Sequence, residues 1–203
     1  MKQLVVHSVF QRVAERNTSG DGNPLMYALK GIRNYTISRD EIVRFLPNFY
    51  EILSSLRNEY GSVTLVPMPS SHKVALSLAR RAQRTFPGAS LATDLLVKQT
   101  CGQVHAEIVQ ITPPAGHKSD FTTLLAFLKK NADAPLSLKD VDIKLRRFVN
   151  PIAIKAGVEL PDSPIVLIDD LMATGTTLLR ARDLFREQGS THEIKGLCLF
   201  SRL

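Results

Sequence analysis

Asp169 and Asp170 follow four apolar residues, Ile165, Val166, Leu167 and Ile168, and precede a short run of small and hydroxylated residues. That run contains Ala173, Thr174, Gly175, Thr176 and Thr177. Behind it Leu178, Ala181, Leu184 and Phe185 recur at helical spacing, and Gly189 stands where a helix C-cap belongs. The order is buried strand, acidic pair, tight loop, helix. A loop that opens a helix offers backbone N–H groups and the positive end of the helix dipole, to which the threonines add hydroxyls. Such a loop suits a phosphate, and Gly175 lets the backbone approach it closely. The carboxylates accept hydrogen bonds only, so they suit sugar hydroxyls, directly or through metal-bound water. A phosphate on one side and a diol on the other describe a ribose 5-phosphate. Neighbours on an extended chain face opposite ways, so one acid is expected to touch the ribose more directly than the other.

Other elements must hold this loop at a sheet edge. Residues 63–66 form a short buried strand, followed by a polar loop and a helix carrying Val74, Leu76, Leu78, Ala79 and Ala82. Strand, polar loop and helix thus occur twice, which predicts a doubly wound α/β fold with a mainly parallel sheet of βαβ units flanked by helices. Ligands of such sheets collect at the carboxyl ends of the strands. Residues 4–10 and 194–200 read as further strands, with others at 91–97, 104–111 and 152–154. Ser38 followed by Asp40 and Glu41 predicts a capped helix running to about Tyr60, interrupted near Pro47. Ser70 or Ser71 is expected to cap the helix after the second strand. Ser119 or Asp120 is expected to cap one that runs to Lys130. Residues 18–24 and 113–116 are loops by composition. The chain is expected to form one domain, 1–203, with an insertion at about 98–147.

With 203 residues, 44% apolar and 22% charged, the chain has the composition of an ordinary globular protein. No run approaches the ~20 apolar residues of a membrane span, and the opening residues do not resemble a signal peptide. Two cysteines without Cys-x-x-Cys spacing argue against a disulfide framework or a zinc site. A cytoplasmic location is therefore expected. The formal charge of +7 suits a polyanion. At 6% aromatic content no stacking platform for nucleic acid stands out, so a small phosphorylated ligand is preferred and nucleic acid is kept open. A Walker-type nucleotide site would need Gly-x-x-x-x-Gly-Lys-Ser/Thr, and the nearest approach, Gly116-His-Lys-Ser119, has the wrong spacing. His7, His105, His117 and His192 lack metal-ligand spacing, and Arg80, Arg81 and Arg84 read as a solvated helix face.

The run from Ile165 to Thr177 resembles the hallmark of the type I phosphoribosyltransferases: apolar strand, two acids, Thr-Gly-x-Thr loop. The segment Ala28-Leu-Lys-Gly-Ile-Arg33, the strand end Val66-Pro-Met-Pro69 and the closing Gly196-Leu-Cys-Leu199 are similar to the ComF-like branch of that family. The amino-terminal zinc module of many ComF proteins is not seen. The resemblance implies binding of phosphoribosyl pyrophosphate (PRPP) or a ribonucleotide with Mg2+. Transfer would occur at ribose C1 with loss of pyrophosphate, the acceptor being a nucleobase or water. It implies that Asp169 and Asp170 anchor the ribose, with Mg2+ near them through the substrate, while Ala173, Thr174, Gly175, Thr176 and Thr177 hold the 5-phosphate. Met68, Pro69, Ser70, Ser71, His72 and Lys73 would meet the pyrophosphate, with Arg146 and Arg147 on a basic loop closing over it. Hydroxyls, an imidazole and an ammonium at a helix start agree with that role. A cis peptide is expected within 68–70. The resemblance leaves room for a PRPP-sensing regulator without catalysis or a nucleic-acid-linked accessory protein, and a homodimer is common in such families.

Overall fold

The computed structural model describes residues 3–12, 24–113, 116–172 and 174–202. The loop expected at 18–24 lies, except for Pro24, outside them. The chain divides into two compact units: Met1–Leu95 with Gly157–Leu203, and Leu96–Ala156. The insertion expected at 98–147 falls within the second.

The first unit is built on a five-stranded parallel sheet of order β1-β7-β6-β2-β3, where β1 is Val6–Arg12, β2 Thr64–Pro67, β3 Ser90–Leu91, β6 Ile165–Met172 and β7 Ile194–Arg202. Val63, Leu65, Val66 and residues 165–168 are buried, as expected of strands covered on both faces. Helix α1 (Pro24–Lys30), α2 (Arg39–Ser55) and α3 (Val74–Thr85) pack on one face, where Val166 and Ile168 meet Phe49, Leu53, Leu78 and Ala82. The alternate residues of β6 point the other way. There Leu167 pairs with Gly196, and the space above Gly196 is taken by Leu178 of α6 (Thr176–Glu187). Helices therefore cover both faces, and the fold is a doubly wound α/β sheet.

The second unit pairs β4 (Leu96–Lys98) antiparallel with β5 (Ile152–Ile154). Its core joins Cys101, Val104 and Ile108 of α4 (Cys101–Ile108) to Phe121, Leu124 and Leu128 of α5 (Lys118–Lys130).

Several elements differ from their expected form. Residues 104–111 are largely helix, not strand: Thr100 and Gln103 form a capping box, and Cys101, Val104 and Ile108 share one helical face. The predicted strand at 91–97 is split between β3 and β4. Helix α2 has the expected Ser38–Glu41 capping box, and hydrogen bonding from Ser38 holds the Glu41 carboxyl below its usual range. The helix continues through Pro47. A mid-helix proline costs about 3 kcal/mol, whereas burying Phe49 and Leu53 beyond it returns about 1.5–3 kcal/mol each. The helix ends at Ser55, followed by a short 3-10 turn, Arg57–Glu59. The cap of α3 is Lys73, with no side-chain hydrogen bond, because Ser70 instead accepts the N–H of His72 within the loop (3.2 Å). The cap of α5 is His117, so Ser119 and Asp120 lie in its first turn. No peptide bond among the described residues is cis, so the cis peptide expected within 68–70 is absent; the trans chain carries the ladder past β2, with Met68 N–H donating to Ile168 C=O (2.8 Å).

Candidate functional site

Strands β2 and β6 are parallel neighbours, with Pro67 opposite Ile168, so the loops that leave them emerge side by side. From β2 the chain crosses over α3 to β3 at one edge, whereas from β6 it crosses over α6 to β7 in the opposite direction. The crossovers diverge at this point, which is where open α/β sheets hold their ligands.

After β6, Asp169, Met172, Thr174, Gly175, Thr176 and Thr177 line a small hollow of about 80 Å3. Gly175 takes a left-handed backbone (φ 70), which costs a side-chain-bearing residue about 1–2 kcal/mol. It is also the N-cap of α6, and a glycine has no side chain to cap with, so none competes for the first-turn N–H groups. The hydroxyls of Thr174 and Thr176 lie 2.9 Å apart. The helix ends in a Schellman arrangement: Gly189 N–H donates to Arg186 C=O and Ser190 N–H to Phe185 C=O. Ala173 lies outside the described residues.

The two acids face opposite sides of the sheet. Asp169 turns toward the hollow, and its Oδ1 accepts the N–H of Asp170 (2.8 Å). Asp170 points to the other face, where Lys30 of α1 meets its Oδ2 at 2.8 Å; the Asp170 side chain is only 10% exposed. Asp169 keeps some accessible surface, but its carboxyl is closely surrounded by protein. Burial, helped by the neighbouring Asp170 charge, pushes its pKa up to about 7. The hydrogen bond from Asp170 N–H and the Lys30 charge act against that rise. Cys198, paired with Asp169 across the ladder, is buried, and burial together with both acids drives its thiol pKa upward, so it is an unreactive core thiol.

After β2, a second hollow of about 300 Å3 is lined by Met68, Pro69, Ser70, His72 and Lys73. Ser71 lies in the same loop but not on that lining. Pro67, Leu76, Arg80, Thr93 and Asp94 complete the wall. Arg81 departs from the expected solvated helix face, being half-buried against Tyr50, whereas Arg80 is exposed as expected and also borders this hollow. Arg80 lies seven residues after Lys73, two helical turns along the same side of α3, a spacing that was available in the sequence. Thr93 and Asp94 follow β3, too short a strand to leave a readable pattern. Arg146 and Arg147 belong to the second unit, on a 3-10 turn where Arg146 Nε donates to Val141 C=O (3.0 Å) and Arg147 stacks 4.6 Å from the Phe148 ring centre.

Among the described residues no group of three or more His, Cys, Asp or Glu side chains could hold a metal ion alone. No helix there is long and apolar enough to cross a membrane. Neither the models of known protein families nor the curated proteins contain a match to this chain.

Proposed function

We propose that this chain is a phosphoribosyltransferase-like protein. It binds PRPP with Mg2+ across the carboxyl ends of β2 and β6 and transfers at ribose C1, with pyrophosphate leaving, to a nucleobase-like acceptor or to water. The observation that carries this reading is the hollow formed by Asp169 and the Thr174–Thr177 turn, beside the uncapped start of α6 and at the point where the crossovers diverge. Backbone N–H groups and threonine hydroxyls there suit the 5-phosphate. Asp169, in its ionised form, accepts from a ribose hydroxyl and offsets positive charge growing on the sugar. Asp170, held by Lys30, adds negative potential from behind the strand. Lys73 and Arg80 face the position of the leaving pyrophosphate.

The donor set fits Mg2+ carried by the ligand's own phosphates: one carboxylate at the hollow and hydroxyls nearby, without a protein cage. When bound, Mg2+ neutralises charge on the leaving group. The protein's share of the work is positioning and electrostatics more than proton transfer.

Calorimetry with PRPP and Mg2+, followed by pyrophosphate release across a panel of nucleobases, tests the reading. Replacing Asp169 and Asp170 together by Asn is expected to abolish PRPP binding in a folded protein; unchanged affinity overturns the site. The Lys30–Asp170 ion pair favours one second reading, a PRPP-sensing regulator, because it leaves a single carboxylate for the ligand. PRPP binding without pyrophosphate release selects that reading.

A further inference from the structure

A groove between α1, α2 and α3 holds a cavity of about 260 Å3 lined mainly by apolar side chains, among them Leu29, Phe45, Phe49, Leu78 and Leu199. Along one rim stand Lys73, the cap of α3, and Ser77 and Arg81 within that helix, each four positions after the last. Arg81 is the informative member. Its Nη1 donates to the Tyr50 hydroxyl at 2.6 Å, and the guanidinium carbon lies 5.9 Å from the Phe49 ring centre and 5.7 Å from that of Tyr50. These partners are neutral; among the described residues no carboxylate pairs with Arg81 or Lys73. A half-buried guanidinium held by a hydroxyl and two aromatic rings loses little further freedom when it meets a planar anion. An apolar hollow edged by unbalanced cations complements a molecule with an apolar body and one anionic head. A neutral hydrocarbon would leave the cations unused, and a polyanion would leave the apolar wall unused.

We infer that this groove is a binding site for a small amphipathic carboxylate, an alkyl or aryl acid whose body lies against Phe45, Phe49 and Leu78 while its head meets Arg81. The inference rests on Arg81 and the apolar wall, not on Lys73, which also borders the hollow after β2, and so it stands independently of the ribose-phosphate reading.

The chain has no tryptophan, so an extrinsic probe is read against a quiet background. The experiment titrates the intact protein with 1-anilinonaphthalene-8-sulfonate, displaces that probe with decanoate or 1-decanol, and repeats the decanoate titration by calorimetry. Decanoate is expected to bind at least tenfold more tightly than decanol, and added salt should weaken decanoate alone. Arg81→Gln should cost decanoate about tenfold, as losing one charge-assisted contact does, while leaving decanol unchanged. Leu29→Trp, which fills the hollow without touching the cation, should remove both. PRPP binding, if present, should survive Arg81→Gln, which separates failure here from failure of the transferase reading. Equal affinity for decanoate and decanol, decanoate binding insensitive to Arg81→Gln, or either ligand retained by Leu29→Trp would each overturn the inference.

Discussion

Replacing Asp169 by asparagine should make this protein more stable at pH 8 and leave it unchanged near pH 4. The native carboxyl keeps its proton up to about pH 7, against an ordinary value of 3.8, because burial and the Asp170 charge oppose ionisation. Between those two values the native state binds more protons than the unfolded chain, so stability contributed by this group falls as pH rises, then levels off above its native pKa. The gap between those two values, at about 1.4 kcal/mol for each tenfold change in the ionisation constant, sets a ceiling of about 4 kcal/mol. Residual exposure and coupling to Asp170 and Lys30 reduce the expected gain to about 2 kcal/mol. Asparagine cannot ionise, yet its amide oxygen can still accept the Asp170 N–H. Thermal melts of both proteins at pH 4, 6 and 8 provide the assay. The asparagine variant should melt roughly 4–8 °C higher at pH 8, a span set by the usual conversion for a chain of this length. The difference between the two curves matters, because other carboxylates titrate in both proteins. A difference that stays constant with pH, or reverses at pH 8, would refute the reasoning. In PRPP calorimetry the same variant should move the opposite way, affinity being lost as stability is gained, which is the usual cost of keeping a charge in a binding site.

Lys30→Met should destabilise the protein by roughly 2–4 kcal/mol near neutral pH, because it leaves the Asp170 carboxylate buried without its partner. Adding Asp170→Asn to it should restore most of that loss, and additive losses in the double-mutant cycle would sink the pairing as a stabilising contact. Gly196→Ala should cost about 1–3 kcal/mol by overpacking, since a Cβ there would sit 3.0 and 3.1 Å from the Val6 methyls and 3.4 Å from Leu178. Shrinking Val6 to alanine in that variant should recover part of the loss in urea or thermal unfolding.

Much of the fold was legible because its signals are local. The run from Ile165 through Phe185 announces strand, turn and helix by residue type alone, and β6 and α6 form there. The capping box at Ser38 marks the start of α2 for the same reason. The misreadings occur where local signals compete. Residues 104–111 contain enough β-branched side chains to suggest a strand, but the box formed by Thr100 and Gln103 satisfies the backbone of a helix. Ser70 had the right chemistry for a cap, yet its hydroxyl is used within the loop and α3 starts at Val74.

What the sequence alone determined is the order of the elements around the acidic pair and the opposed directions of two neighbouring carboxylates, since both follow from backbone geometry a few residues long. Only the tertiary structure decided that Asp170 meets Lys30, that Asp169 faces the turn before α6, and that Arg80, Thr93 and Asp94 join the loop after β2. Those outcomes depend on the order in which parallel strands pair and on the direction each crossover takes. Contacts made that way join residues far apart along the chain, and no local pattern of residue types encodes them.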